Sequence, residues 1–251
     1  MHNAALRRLG INAQYTAIEA RSPREAIDRI KGAGIDGAGI TIPLKTGIMG
    51  CLDEISRDAL EIGAVNTIIN DNGRLCGSNT DWLGFMEDLR EAGLKIKGRK
   101  FAILGAGGAA RSVVFGLIRE GGIPIVFNRG AVRGEALARE FGCVFFPLED
   151  LARTPADVLV NTTPLGMHPR TEESPAGKDL LPRFEWVIDL VYNPLETRLL
   201  REAREAGCKT RSGLGMLVRQ GAEQFRAWTG QEPPVELMRD VVESELKRRA
   251  R

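Results

Sequence analysis

The stretch "KFAILGAGGAARSVVFGLIREGG", residues 100–122, decides the fold. Phe101 to Leu104 form an apolar run of strand length, and the glycine cluster after it opens a segment with helical periodicity. Gly105 permits the tight turn, Gly107 lets the backbone approach a pyrophosphate, and Ala110 stands where a third glycine usually packs helix on sheet. Free amides and the dipole at the start of such a helix favour a bound anion. The same residues would also serve as a plain βα turn without a ligand, and the motif alone leaves both readings open.

Downstream the pattern repeats. "IPIVFNR" (123–129), "CVFF" (143–146), "ADVLVNTTP" (156–164) and "EWVIDLVY" (185–192) read as strands, with the helix "RGEALAREFG" (133–142) between the first two. Several apolar strands with polar carboxyl ends imply an open parallel sheet whose ligand gathers at those ends. The first strand after the glycine turn ends in Asn128-Arg129, where an NAD site would place an acid for the ribose hydroxyls. Arg129 and Arg133 instead offer guanidinium groups to a 2'-phosphate, which favours NADP. Two surface arginines remain the plainer alternative.

Upstream lies a second α/β unit. "HNAALRRLG" (2–10) reads as helix, "QYTAIEA" (14–20) as strand and "SPREAIDRIKG" (22–32) as a helix with a Ser22, Pro23, Glu25 start signal. "GAGITI" (37–42) is expected to be a strand and "LDEISRDALEIG" (52–63) an amphipathic helix. In "AVNTIINDNGRLCGSNTD" (64–81), two strands flank the Asp71-Asn72-Gly73 turn. The helix "WLGFMEDLREAGL" (82–94) is the expected connection between domains, and the helices of 216–230 and 235–250 are expected to return to the first domain.

Composition narrows the function. The 251 residues carry 35 basic and 33 acidic side chains, a net charge of +2 that gives no reason to expect nucleic acid or an anionic membrane as partner. The closing "KRRAR" (247–251) reads as a solvated helix end. No apolar run reaches the roughly 18–20 residues of a membrane span, and no apolar leader opens the chain. Two histidines and four scattered cysteines, at 51, 76, 143 and 208, imply no metal and suit a reducing cytoplasm.

"ITIPLK" (40–45) ends in a lysine at what reads as the end of a buried strand, and polar residues recur at comparable ends in "GAVNTI" and "GSNTD". If Lys45 meets Asp81, the carboxylate orients the amine and the amine serves an oxygen whose charge changes in hydride transfer. A loop-tying ion pair is the structural alternative.

The ordered set "HNAALRRLG", "ITIPLK", "GAVNTI", "GSNTDWLG", "GAGGAAR", "NR", "NTTPLGM", "DLVYNPLET" and "GLGMLVRQGAEQFRAWTG" closely resembles the shikimate dehydrogenase family over essentially the whole chain. The resemblance implies an α/β fold of two domains. Residues 1–82 with 213–251 would form an amino-terminal substrate domain completed by the C-terminal helices, and residues 83–212 a Rossmann-type parallel-sheet NADP domain. It also implies NADPH-dependent reduction of 3-dehydroshikimate to shikimate in aromatic amino-acid (chorismate) biosynthesis, with quinate as an alternative substrate and loss of turnover as an alternative outcome.

By motif, Lys45 and Asp81 resemble the catalytic pair, and Thr41, Asn66, Thr80, Tyr192 and Gln220 the substrate contacts. Gly105, Ala106, Gly107, Gly108 and Ala109 resemble the phosphate loop. Asn128, Arg129 and Arg133 resemble the adenosine-phosphate site, with Gly130 where threonine is frequent. Asn161, Thr162 and Thr163 resemble the next cofactor loop, and Gly213 and Met216 groups near the nicotinamide. A small-molecule partner is expected, and a homodimer is compatible with the resemblance. The family usually begins with a strand and a "GxPxxHSxSP" segment, whereas here Met1 directly precedes His2 and Asn3; the resemblance implies either a start placed too far downstream or a shortened form with a damaged substrate pocket.

Overall fold

The computed structural model describes residues 1–249; residues 250 and 251, the end of the "KRRAR" segment and of the last expected helix, lie outside the described residues. Two sheets organise the chain. The carboxyl-terminal one contains β5 (Lys100–Leu104), β6 (Ile123–Asn128), β7 (Val144–Pro147), β8 (Val158–Asn161), β9 (Trp186–Asp189) and β10 (Lys209–Ser212). All of its pairings are parallel, in the order β10-β9-β8-β5-β6-β7. Counted from β5, this is the doubly wound 3-2-1-4-5-6 order, with its switch point between β5 and β8.

Alternation along the strands explains both faces of this sheet. Phe101, Ile103, Val158 and Val160 enter one core with α4 (Asp81–Glu91) and α5 (Gly108–Arg119). Ala102, Leu104 and Leu159 enter the opposite core with Leu199 and Leu200 of α7 (Arg198–Glu205). Strands buried on both faces read as continuous apolar runs. The exception is β10, "KTRS", a polar edge strand, and polar edges resist unwanted pairing.

The amino-terminal sheet contains β1 (Gly37–Gly39), β2 (Glu54–Ile55), β3 (Thr67–Asp71) and β4 (Arg74–Ser78), in the order β1-β3-β4-β2. The hairpin turn forms as its residues require, with Asn72 and Gly73 both at positive φ. α2 (Pro23–Gly32) begins with the Ser22 hydroxyl accepting from the Glu25 N–H and packs Ile27 and Ile30 against Ile68 and Leu75.

Three sequence expectations need correction here. Residues 14–20 are not a strand: Tyr15 and Ile18 are exposed, and no ladder takes their backbone. The strand expected over 37–42 stops at Gly39, and Ile42 projects into solvent at 69% exposure. The helix expected over 52–63 is only α3 (Arg57–Ile62), because Asp53 and β2 pair with the sheet and Ser56 caps the Ala59 N–H.

The terminal helices α8 (Leu214–Thr229) and α9 (Val235–Arg249) return to the amino-terminal unit. Val218, Phe225 and Met238 pack with Ala5 and Leu6 of α1 (His2–Arg8), and the Trp228 indole donates to the Ile68 carbonyl at 2.9 Å. α8 also lies along α4. Gly84 admits the Gln220 backbone, and Gly215 admits the Asp88 carboxylate, where any Cβ would overlap. These close approaches fix the register of the two helices that carry polar residues into the cleft. Among the described residues, no helix is long and apolar enough to cross a membrane.

Candidate active site

Lys45 is held by its own backbone. Its carbonyl accepts from the Val65 N–H at 2.8 Å, and the Ile40 N–H donates to the Asn66 carbonyl at 2.7 Å, so the loop after β1 is stitched to the segment before β3. Ile48, fully buried, anchors the turn beyond it. Asp81 is the first residue of α4, at the helix end whose dipole favours a carboxylate. The two elements bring Lys45 Nζ to 2.6 Å from Asp81 Oδ2, with the lysine side chain 16% and the aspartate 5% exposed. The sequence separation of 36 residues is closed by the fold.

Around the pair lies a network of neutral donors and acceptors. Asn66 Nδ2 donates to Asp81 Oδ1 at 2.8 Å and also approaches Thr80 Oγ1 and Gln220 Oε1. Asn66 Oδ1 accepts from the Thr80 N–H and the Thr67 hydroxyl. Gln220 and Gln224, four residues apart on one face of α8, enter from the other side, and Gln224 donates to the Asn66 carbonyl at 3.0 Å. The structure thus brings Lys45, Asn66, Thr80, Asp81 and Gln220 together. Thr41 is exposed on the loop after β1, and Tyr192, at 40% exposure, lies on the segment after β9.

The second half of the cleft is the carboxyl end of the parallel sheet. Gly105 has φ +112°, and a Cβ there would meet Thr162 Oγ1 at 2.7 Å and Thr163 Cγ2 at 3.0 Å. Gly107 faces open space, and no side chain caps the first turn of α5, so the amide donors needed for a pyrophosphate are present. Gly108 and Ala109 begin that helix and Ala106 leads into it. At the end of β6 there is no carboxylate. Asn128 Nδ2 bonds the Gly130 carbonyl, while Arg129 and Arg133 are exposed beside the start of α6 (Ala131–Phe141). These residues fit a dinucleotide with a further phosphate on its ribose.

Asn161 is fully buried and committed to structure: its amide donates to Asp189 Oδ1 at 2.9 Å, and its oxygen accepts from the Thr163 N–H and hydroxyl. Thr162 donates to the Leu104 carbonyl at 2.7 Å, tying the loop to the end of β5. Gly213 abuts the Leu190 backbone, where a Cβ would overlap, and Met216 is buried in the core that α4 and α5 form on this sheet.

Three further residues belong to this site without standing out in the sequence. Gln224 could have been found from its spacing to Gln220, and Asp189 from its place at the end of "WVID"; Ser112 looks like one more small residue of a helix. Asp189 is fully buried and, among the described residues, has no cationic partner; it accepts from Asn161, the Val191 N–H and the Thr197 hydroxyl. Burial pushes its carboxyl up to about 6. Between about pH 4 and that value the folded chain binds the proton more strongly than the unfolded one, so this group's contribution to stability falls as pH rises. Relative to Asp189→Asn, the wild type should lose roughly 2 kcal/mol of stability between the two ends of that window. Urea unfolding at the two ends tests this; parallel pH curves for the two proteins would refute it.

A doubly wound sheet with an uncapped glycine turn, facing an amine–carboxylate pair in a polar cleft, defines a two-domain dehydrogenase architecture. The sequence model of the shikimate dehydrogenase substrate binding domain matches residues 1–68, and that of the shikimate 5'-dehydrogenase C-terminal domain matches residues 213–243. The shikimate dehydrogenase (NADP(+)) of Geobacillus kaustophilus is 41% identical over 257 aligned positions, covering 99% of this chain and 93% of that protein. A shikimate dehydrogenase crystallised with NADP+ superposes with a TM-score of 0.89 at 40% identity, over 98% of this chain and 89% of its own. The Thermus thermophilus shikimate 5-dehydrogenase, solved with NADP(H) and shikimate, gives 0.85 at 42% identity, over 100% of this chain and 93% of its own. The chain belongs to the shikimate dehydrogenase family.

Proposed function

We propose that this chain catalyses the reversible reduction of 3-dehydroshikimate to shikimate with NADPH, a step of aromatic amino-acid biosynthesis. The observation that carries the reading is the 2.6 Å Lys45–Asp81 pair set beside the phosphate turn: a Cβ on Gly108 would lie 3.4 Å from Lys45 Cβ. Whole-length similarity to relatives solved with cofactor and substrate supports it.

NADPH, when bound, supplies the hydride. Gly105 to Ala109 and the start of α5 hold its pyrophosphate, and Arg129 and Arg133 its additional phosphate. Residues 83–212 form the unit that binds it, and residues 1–82 with 213–251 the unit that binds substrate. Asn66, Thr80 and Gln220, with the exposed Thr41 and Tyr192, orient a polyhydroxylated carboxylate without adding negative charge. An unmatched buried polar group costs about 1–3 kcal/mol, so such a network also discriminates against analogues lacking a hydroxyl.

Lys45 donates its proton to the substrate oxygen as the carbonyl becomes an alcohol, and takes a proton in the reverse direction. Asp81 fixes the amine through Oδ2 while Asn66 fixes Asp81 through Oδ1. No covalent intermediate with the protein is required, because hydride transfer uses the cofactor's own chemistry. The four free cysteines suit a cytoplasmic setting.

The test is NADPH formation followed by absorbance with shikimate or quinate and NADP+ or NAD+. Turnover is expected chiefly with shikimate and NADP+. Turnover confined to quinate, or no turnover by folded protein that binds NADPH, would refute the assignment.

A further inference from the structure

Asp81 is positioned from two directions. Its carboxylate is held by Lys45 and Asn66, and its backbone N–H donates to Asn79 Oδ1 at 3.0 Å. Asn79 is itself buried, and its amide is fully spent: Nδ2 donates to the Ala64 carbonyl at 2.9 Å and to Ser112 Oγ at 3.1 Å. Ser112 belongs to α5, on the cofactor side of the cleft, and is fully buried. A hydroxyl has one proton, and with Asn79 Nδ2 donating to it that proton has two acceptors in reach, the Gly108 carbonyl one turn back at 3.2 Å and Asn79 Oδ1 at 3.3 Å.

These bonds form an unbroken chain from the phosphate turn to the start of α4: Gly108 carbonyl, Ser112 hydroxyl, Asn79 amide, Asp81 N–H. The other member of the pair meets the same turn, because Lys45 Cβ and Cδ lie 3.4 and 3.5 Å from where a Cβ on Gly108 would stand. Both members of the amine–carboxylate pair are therefore registered against the residue that begins the anion-binding helix.

Other ties across this junction differ in kind. Arg119 pairs with Asp58 at 2.7 Å through side chains 52% and 35% exposed, where screening by water leaves little energy. Arg111 bonds the Ile62 carbonyl through a guanidinium that also pairs with the exposed Glu140. The Ser112 bridge is buried, uncharged and directed at Asp81.

We propose that Ser112 is a positioning residue: through Asn79 it couples the phosphate turn to the Lys45–Asp81 pair, so that ordering of the turn by a dinucleotide phosphate also orders the segment that presents Asp81. The proposal rests on the dehydrogenase reading for its consequence in turnover, but its physical content concerns the free chain and the cofactor alone. Removing the hydroxyl strands one buried Asn79 N–H and frees Asp81 to shift relative to Gly108. Displacements on the scale of 1 Å cost up to about a hundredfold in rate.

Hydrogen exchange read by mass spectrometry, with and without NADP+, tests the bridge. In the wild type, NADP+ should slow exchange at least about fivefold in residues 79–86 as well as 105–113, the lower end of ordinary intersite coupling. In Ser112→Ala the slowing should persist in 105–113 and drop below about twofold in 79–86, with NADP+ affinity within about twofold of wild type and kcat about tenfold lower. Ser112→Cys, whose thiol is a weak donor and acceptor, gives the same reading should the alanine variant fail to fold. Equal slowing at 79–86 in wild type and variant, or none in the wild type, overturns the proposal. Because exchange is read with NADP+ alone, failure of the wild type to oxidise shikimate would count against the dehydrogenase reading and not against the bridge.

Discussion

Lys45→Met is expected to lower kcat by about 10²–10⁴, the usual worth of a positioned proton-transfer group, while NADPH affinity stays within about twofold. Methionine is the informative replacement because the lysine stem rests beside Gly108, and an unbranched side chain preserves that packing while removing the ammonium. The loss belongs in kcat rather than KM, since the proton moves only as the oxygen changes charge in the transition state. Removing Nζ also leaves Asp81, 5% exposed, without its cation, so some loss of stability is expected alongside. The double variant Lys45→Met with Asp81→Asn removes that penalty and should regain stability without regaining turnover. A kcat within a few-fold of wild type in Lys45→Met would exclude the lysine from proton transfer and leave the pair as a loop tie.

Arg129→Ala combined with Arg133→Ala is expected to weaken NADPH about 100-fold while changing NADH by less than about threefold. Charge-assisted bonds to a phosphate are worth about 1.5–3 kcal/mol each, and an exposed site keeps the sum near the lower end. No acid stands at the end of β6 to hold ribose hydroxyls, so NADH has little to lose there. Equal weakening of both cofactors in a binding titration would mean that the arginines support α6 rather than the phosphate.

Much of this architecture is legible in the sequence. The glycine turn between an apolar strand and a helix carried the parallel sheet, because a strand buried on both faces leaves a continuous apolar run and a phosphate-binding turn leaves its glycines. The hairpin at Asn72-Gly73 was equally plain, since positive φ restricts the residues that fit. Outside that hairpin the amino-terminal strands were less so: β1 is shorter than expected and residues 14–20 form no strand. Residues 14–20 alternate as a strand does, yet pairing depends on a partner edge that local sequence does not reveal, and Ile18 remains exposed. β10 escaped for the opposite reason: an edge strand of polar residues has no hydrophobic signature, and its pairing to β9 is a tertiary fact. α7 does have a readable start, with the Thr197 hydroxyl accepting from the Leu200 N–H, but it follows a long irregular stretch.

The site shows the same division. Lys45, Asn66, Asp81 and Gln220 stood out because polar groups ended otherwise apolar elements or matched an ordered set of motifs, and the fold brings them together. Ser112 and Asn161 work through hydrogen bonds to residues 33 and 28 positions away, a distance in sequence at which neither partner advertises the other. Local pattern fixes which face a residue takes; only the packing of α4 and α5 against the first unit decides that a serine hydroxyl reaches an asparagine amide.

The most direct test of the central claim is a single turnover: enzyme in excess, NADPH bound, and 3-dehydroshikimate added in a stopped-flow mixer while cofactor fluorescence is followed. The expected result is stoichiometric oxidation of NADPH with shikimate as product in the wild type, and a bound but unreacted ternary complex in Lys45→Met. A wild-type complex that binds both ligands and leaves NADPH unoxidised would contradict the account.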